Sequence, residues 1–356
     1  MLGFKVYPQH GGDLYSLEKA LGLSADAIID LSTSVNPLPL PKNLKRVLIK
    51  SLDLINRYPD PLSRSFKETL YEIYSIPPEN IVCGNGSSEL IYVFIKALSP
   101  KRVLILEPTF SEYERASTIG GASIHRVFSL DKETLLKKAV EKLSETKIDL
   151  VFVCNPNNPT GWFYKKEELL PIIKAFPSTN FLIDEAFIEF VEDETLIKEA
   201  AELDNLIVLR SLTKFYGLSG LRFGYAVSSK DFIKKAQTFL PPWNVNILAQ
   251  TIAGLLIKDP EFKEKSLRFF TREKRRFEKK LKELSVSFFP SVANYYLLKL
   301  HEEGFFEFCL KHNILIRNCA NFYGLDSRFV RISIKSRRWN NIFFEVLEKW
   351  LQKKST

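Results

Sequence analysis

The residues best equipped for chemistry gather in one stretch, 208–224, which reads VLRSLTKFYGLSGLRFG. The apolar run 206–209 predicts the end of a buried strand. Polar groups then arrive together: Arg210, Ser211, Thr213 and Lys214, with Phe215 and Tyr216 next and Arg222 beyond a glycine-punctuated turn. Burial disfavours an ammonium ion and lowers a lysine pKa from its ordinary value of ~10.4. A neutral lysine amine condenses with aldehydes, which is how lysines anchor pyridoxal phosphate. Ser211 and Arg222 add a hydroxyl and a planar, permanently charged fork, both suited to a phosphate. The competing interpretation is a surface turn whose lysine and arginine are simply solvated, and this stretch alone does not decide between them.

Other segments carry related chemistry. Residues 81–83 predict a short strand that runs through Gly84, Asn85, Gly86, Ser87 and Ser88 into a helix over 89–98. Such a junction offers free N–H groups and the positive end of the helix dipole to an anion. It lacks the lysine-serine end of a nucleotide loop and the third glycine of a dinucleotide fingerprint, so it points to a single phosphate; an ordinary strand-to-helix turn competes. Phe110 follows the strand 102–106, where open α/β sheets bind ligands, and it could stack on a planar ring or belong to the core. The strand 150–154 leads into NPNNPTG (155–161), a stiff loop of amides in which either X-Pro bond could be cis. The strand 180–183 ends in Asp184. A carboxylate there costs several kcal/mol of desolvation unless it meets a cation, and a protonated pyridine nitrogen is one. His10-Gly11-Gly12 could meet an anion or be a plain loop, and the polar loop 32–36 follows a strand at 28–31. Arg317 ends a predicted strand at 314–317, and Arg331 lies within another at 329–334; both suit a carboxylate, or surface salt bridges.

These groups need a frame. Strand and helix patterns alternate from 81 to 209, which predicts a parallel sheet with helices on both faces. A strand at 225–227, helices at 243–257 and 260–284, strands at 286–289 and 295–300, and helices at 303–312 and 343–351 complete the pattern. The expected division is an arm over 1–43, a large domain over 44–245 and a small one over 246–356. With 45% hydrophobic and 26% charged residues the chain has the composition of a soluble globular protein. No apolar run reaches the ~18 residues of a membrane span, and the N-terminus has no signal-peptide core, so a cytoplasmic protein is expected. Cys83, Cys154, Cys309 and Cys319 show no metal-ligand spacing and read as buried thiols. The net charge is +9, but the densest basic run, 274–282, is interspersed with glutamate and reads as a solvated face. Neither nucleic acid nor membrane is expected as a partner; a small anionic substrate suits the positive field.

Four segments, GNGSSE (84–89), NNPTG (157–161), DEAF (184–187) and SLTKFYGLSGLR (211–222), agree in order and type. Together they resemble the fold-type I, aspartate-aminotransferase-like family of pyridoxal-phosphate enzymes, over nearly the whole chain. The resemblance implies a large domain with a mostly parallel central sheet sandwiched by helices, and a smaller α+β domain. It implies that Lys214 carries the cofactor, Asp184 pairs with its pyridine nitrogen, Asn158 bonds its ring hydroxyl and Phe110 stacks on the ring. Gly86, Ser87, Ser88, Ser211 and Arg222 would hold the cofactor phosphate, reached also by Tyr58 from a neighbouring subunit, so a homodimer is implied. Arg331, with Asn158, would hold a substrate carboxylate. Arg317, His10, Gly11 and the loop with Ser32, Thr33 and Asn36 would surround a substrate phosphate. Two subgroups of the family compete: decarboxylases of threonine phosphate, in cobalamin synthesis, and histidinol-phosphate aminotransferases. HGGD (10–13), SLTKFY (211–216) and the stretch 314–331 resemble the decarboxylases. So does Phe187, where the aminotransferases usually carry a tyrosine that bonds the ring hydroxyl; its absence leaves Asn158 alone there.

Overall fold

The apolar runs form strands because their alternate side chains pack on opposite faces of one sheet. In the computed structural model, which describes residues 10–22 and 24–353, the strands in chain order are β1 (Ile29–Asp30), β2 (Ile81–Asn85), β3 (Arg102–Glu107), β4 (Ser123–Phe128), β5 (Leu150–Cys154), β6 (Asn180–Asp184), β7 (Leu206–Ser211) and β8 (Phe223–Ser228). They are followed by β9 (Ser287–Phe288), β10 (Tyr295–Lys299), β11 (Ile314–Leu315), β12 (Arg317–Asn318) and β13 (Phe329–Ser333). The large sheet has the order β2-β8-β7-β6-β5-β3-β4. All its pairings are parallel except those of β8, which is antiparallel to both β7 and β2. The segment 212–222 carries no crossover helix, so the chain returns beside β7 in the opposite direction.

Val151, Val153, Ile183 and Val208 face one hydrophobic cluster, while Phe152, Leu182, Ile207 and Leu209 face another on the opposite side. Helices such as Ser87–Leu98 and Glu112–Ile119 cover the sheet. The chain is thus an α/β fold with a mostly parallel central sheet, as expected. A second sheet, β12-β13-β10-β9, is antiparallel. Its Tyr296, Leu298, Val330 and Ile332 share a core with Phe270 and Phe277 of the helix Pro260–Glu283 and with Phe343 and Leu347 of Arg337–Gln352. Among the described residues no helix is long and apolar enough to cross a membrane. All four cysteines are buried and unpaired.

Three expectations change. The strand expected at 314–317 divides: β11 pairs with β1, whereas β12 pairs with β13, so the chain changes partner at Ile316. The helix expected from 243 begins at Ile247, because the Asn246 side chain caps it by accepting from the Ala249 N–H at 2.9 Å. Lys274, read as part of a solvated face, turns inward and donates to the carbonyls of Ser291 and Ala293, the latter at 2.8 Å.

Arg210 ends far from solvent, 0% exposed, on the face of β7 opposite to Ser211's. Its guanidinium lies 3.5 Å from Glu185, 3.2 Å from Glu189 and 3.4 Å from Glu192. Burial pushes Glu185 and Glu189 up to about 7, against the pull of Arg210. This cluster fastens the segment after β6 to β7. Arg210→Ala leaves buried acids without their cation and should lower stability by about 3–5 kcal/mol in urea unfolding; a loss below about 1 kcal/mol, the scale of an exposed pair, would contradict this account.

Candidate active site

The adjacent ends of β5, β6 and β7 open into a cavity of about 390 Å³. This is where a parallel sheet presents loop residues to a ligand. Asp184, the last residue of β6, is 4% exposed and lines it. Its Oδ2 accepts from the Tyr113 hydroxyl at 2.7 Å and its Oδ1 from the Ala186 N–H at 3.1 Å. Burial pushes this carboxyl above its ordinary pKa, while Tyr113, the Ala186 N–H and Lys214 pull it back. Lys214 reaches the cavity from the turn after β7 and keeps some exposure there. Burial first, then Arg331 and Arg222, lower its ammonium to about 8; Asp184 opposes them. The Lys214 carbonyl accepts from the Asn36 N–H at 3.0 Å, which fixes the turn.

One wall is an anion cradle. Gly86 has φ +80°, and a Cβ there would come within 2.4 Å of the Arg222 guanidinium. Gly224 likewise has no room for a Cβ, which would meet the Ser87 nitrogen at 2.2 Å. Ser87 and Ser88 begin the helix Ser87–Leu98 and line the cavity with Ser211 and Arg222. Gly86 backs this wall without lining it. Arg222 donates to the Ser219 carbonyl at 3.2 Å, and among the described residues no carboxylate pairs with it. A helix N-terminus beside an arginine without an acid can hold an anion such as a phosphate.

A second cationic region faces the first from the small sheet. Arg317 and Arg331 stand directly opposite each other across β12 and β13. Opposed residues share a face, and like charges there repel. Burial lowers both guanidinium pKa values, that of Arg317 to about 10. Arg317 donates to the Asn321 side chain at 2.7 Å and lies over the Phe322 ring. Arg331 donates to the Ser32 carbonyl at 2.7 Å and to the Asn158 side-chain oxygen. Among the described residues no carboxylate pairs with Arg331, and its buried Nε has no partner. With its oxygen committed to Arg331, Asn158 presents its NH₂ as a donor. Asn157, next to it, is spent on Pro108 and Thr160 and stiffens the loop, in which Asn155–Pro156 and Asn158–Pro159 are both cis.

His10 lies in the described residues and reaches the cavity, as do Gly11, Ser32, Thr33 and Phe110. A Cβ on Gly11 would meet the Ser32 carbonyl oxygen at 2.5 Å. The Ser32 and Thr33 hydroxyls both donate to Asp30 at 2.6 Å. Two anticipated residues lie elsewhere. Asn36 is off the cavity wall and donates to the Phe215 carbonyl at 2.8 Å and Ser266 at 2.9 Å, bracing the turn that carries Lys214. Tyr58 stands on the surface, 78% exposed, stacked on Trp243 with ring centroids 4.4 Å apart. The lining residues Ser111, Glu112, Tyr113 and Arg115 are not marked by the motifs. Tyr113 has a local signal: three residues after Phe110 at a helix start, its ring meets Phe110 edge-on at 5.6 Å. Phe187 lines the cavity and packs edge-on against Tyr295 at 5.0 Å.

The Lys214 environment sets a pH dependence. In cofactor-free protein, labelling with an amine reagent should reach half its limiting rate at Lys214 near pH 8, against ~10.4 for an ordinary lysine. Arg331→Met should move that midpoint upward. A lysine lowered in the folded state binds fewer protons there than when unfolded, so this group adds stability as pH rises between the two values. A labelling midpoint above about 10 would contradict the geometry.

Comparison with known proteins gives the same picture. A family model described as aminotransferase class I and II matches residues 26–345. Threonine-phosphate decarboxylase from Salmonella typhimurium is 36% identical over 351 residues, covering 96% of this chain and 96% of that one. Histidinol-phosphate aminotransferase from Methanococcus aeolicus is 32% identical over 364 residues, covering 97% and 96%. The crystal structure of L-threonine-O-3-phosphate decarboxylase from Porphyromonas gingivalis superimposes with a TM-score of 0.82 at 30% identity, over 91% of this chain and 100% of that one. With the family model matched over most of its length and a strand-end lysine facing a buried aspartate, this chain belongs to the class I and II aminotransferase family.

Proposed function

We propose that this protein is a pyridoxal-phosphate-dependent decarboxylase that converts L-threonine O-3-phosphate to (R)-1-amino-2-propanol O-phosphate and carbon dioxide, in the aminopropanol arm of cobalamin synthesis. The residues present fit the cofactor. Asp184 is a buried acid in want of a cation, Lys214 is an amine poised near neutrality, and Gly86 leaves its Cβ space to Arg222 beside a helix N-terminus. When bound, pyridoxal phosphate supplies an electron sink for the pair released by a bond broken at the substrate α-carbon.

The chain's own residues do the rest. Ser87, Ser88, Ser211 and Arg222 hold the cofactor phosphate. Asp184 keeps a ring nitrogen protonated, and Asn158 donates to the ring oxygen. Lys214, with its pKa near 8, holds or moves a proton at Nζ. Arg331 takes the substrate carboxylate and so governs which bond at the α-carbon is presented for cleavage. Arg317 and His10 take the substrate phosphate, beside the loop whose Ser32 and Thr33 hydroxyls are tied to Asp30. The aromatic wall of Phe110, Tyr113 and Phe187 excludes water.

The observation that carries the substrate assignment is the opposition of Arg317 and Arg331. Threonine phosphate bears its carboxylate and its phosphate ester on neighbouring carbons, so two adjacent guanidiniums match two adjacent anions. Histidinol phosphate has a phosphate and no carboxylate. The identity to the Salmonella typhimurium decarboxylase along the whole chain supports the same choice.

A homodimer completes the proposal. Tyr58, idle in its own subunit, would reach the cofactor phosphate of a second copy. Ile49, Leu52, Ile55, Leu62 and Trp243 are exposed large apolar side chains that a second copy would cover. The setting would be the cytoplasm, where the four buried thiols stay reduced.

Purified protein loaded with pyridoxal phosphate should release carbon dioxide from L-threonine O-3-phosphate with no keto acid added. Turnover of histidinol phosphate that depends on a keto acid, without such release, would assign the aminotransferase reaction instead. Lys214→Ala should abolish turnover. Arg331→Met should lower kcat/KM by roughly a hundredfold, the scale of a buried charge-assisted contact; an unchanged value would remove Arg331 from the substrate.

A further inference from the structure

Glu112 is an acid that lines the cavity among cationic groups. It begins the helix Glu112–Ile119 and is 7% exposed. Its Oε1 lies 3.0 Å from His10 Nε2. Its Oε2 accepts from the Tyr92 hydroxyl and lies 3.5 Å from the Arg115 guanidinium. His10 belongs to a segment clamped from the other side: the Gly12 N–H donates to Ser32 Oγ at 2.8 Å, and Gly11 has no room for a side chain against Ser32. One carboxylate and one hydroxyl therefore hold residues 10–12 across the mouth of the cavity.

We propose that Glu112 is a positioning residue: it anchors His10 at the cavity mouth through one imidazole nitrogen and leaves the other nitrogen for the phosphate of the ligand. The inference rests on the proposed function only for the identity of that phosphate. A carboxylate at one ring nitrogen fixes the tautomer and raises the basicity of the other. A direct contact between Glu112 and a phosphate dianion would repel. With His10 and Arg115 between them, the acid improves the cations that meet the ligand.

Among the described residues, these charged and titratable groups act on His10 or on its carboxylate partner. Glu112 and Arg115 face His10 from the helix Glu112–Ile119, Arg317 faces it from β12, and Tyr92 of the helix Ser87–Leu98 bonds the same carboxylate. Burial, Arg317 and Arg115 lower the His10 pKa from its ordinary value, and Glu112 opposes them. Glu112→Gln should therefore lower it further.

The test follows the His10 ring by NMR in the cofactor-loaded enzyme, with inorganic phosphate as the probe. Glu112→Gln should move the His10 midpoint to lower pH and weaken phosphate binding by roughly tenfold, the scale of one charge-assisted hydrogen bond. In a His10→Ala background, Glu112→Gln should cost little more, because both changes remove one coupled unit. Tyr92→Phe, which disturbs the same carboxylate without touching His10, should leave the midpoint near its wild-type place. An unmoved midpoint in Glu112→Gln, additive losses in the double variant, or an equal shift in Tyr92→Phe would each overturn the inference. These readouts need no turnover. If carbon dioxide is not released but the His10 midpoint still follows residue 112, the substrate assignment fails and the positioning role stands.

Discussion

An enclosed carboxylate and an enclosed amine share one cavity, and each is shifted toward its neutral form by burial. Asp184 is held by a tyrosine hydroxyl and a backbone N–H, Lys214 by a turn braced from Asn36. Neither is fully balanced by the other, because Arg331 and Arg222 also press on the amine. A site in this condition gains from a ligand that brings a cation to the acid and a carbonyl to the amine. The parallel register of β6 and β7, with Asp184 opposite Leu209, is what places the two groups at the same end of the sheet.

The pleat of those strands divides the polar residues into two sets. Asp184 and Ser211 face the cavity, while their neighbours Glu185 and Arg210 point to the far side and join a buried ion cluster. The same two dipeptides thus supply both the reactive groups and the fastening beneath them. The segment 30–36 makes the corresponding link to the small sheet. Its Leu31 and Ser34 carbonyls accept from the Ser333 N–H and the Asn294 side chain, its Ser32 carbonyl accepts from Arg331, and its Asn36 reaches the lysine turn. The Arg331 guanidinium is therefore tied through one short loop to the turn that carries the amine.

What was legible in the sequence was local. Asp184 at a strand end, Lys214 in its polar turn, Gly86 before two serines and Asn158 in its proline-stiffened loop are each marked by neighbours within a few positions, because strand ends, caps and turns leave short-range signatures. The fold class followed from the same alternation. What was not legible depends on register and long-range packing. Nothing near Arg317 announces that it will stand opposite Arg331, since that pairing is set by how β12 lies on β13. Residues 314–317 read as one strand, yet the chain divides them between two sheets. Asn36 sits in a loop with the right composition, but its amide is taken by Phe215 and Ser266, the latter 230 positions away.

The positive charge in the cavity has a cost that Asp184 and Asp30 offset only in part. Arg331 has a buried Nε without a partner, Arg317 is lowered to about 10 by burial, and Lys214 to about 8. Filling these deficits with glutamates would stabilise the empty protein and would repel an anion. Glu112, near the mouth, lies against His10 and Arg115 and accepts from Tyr92, so part of its charge is met inside the protein. The unpartnered Nε of Arg331 and the lowered pKa values of Arg317 and Lys214 leave a cavity whose charge suits an anion.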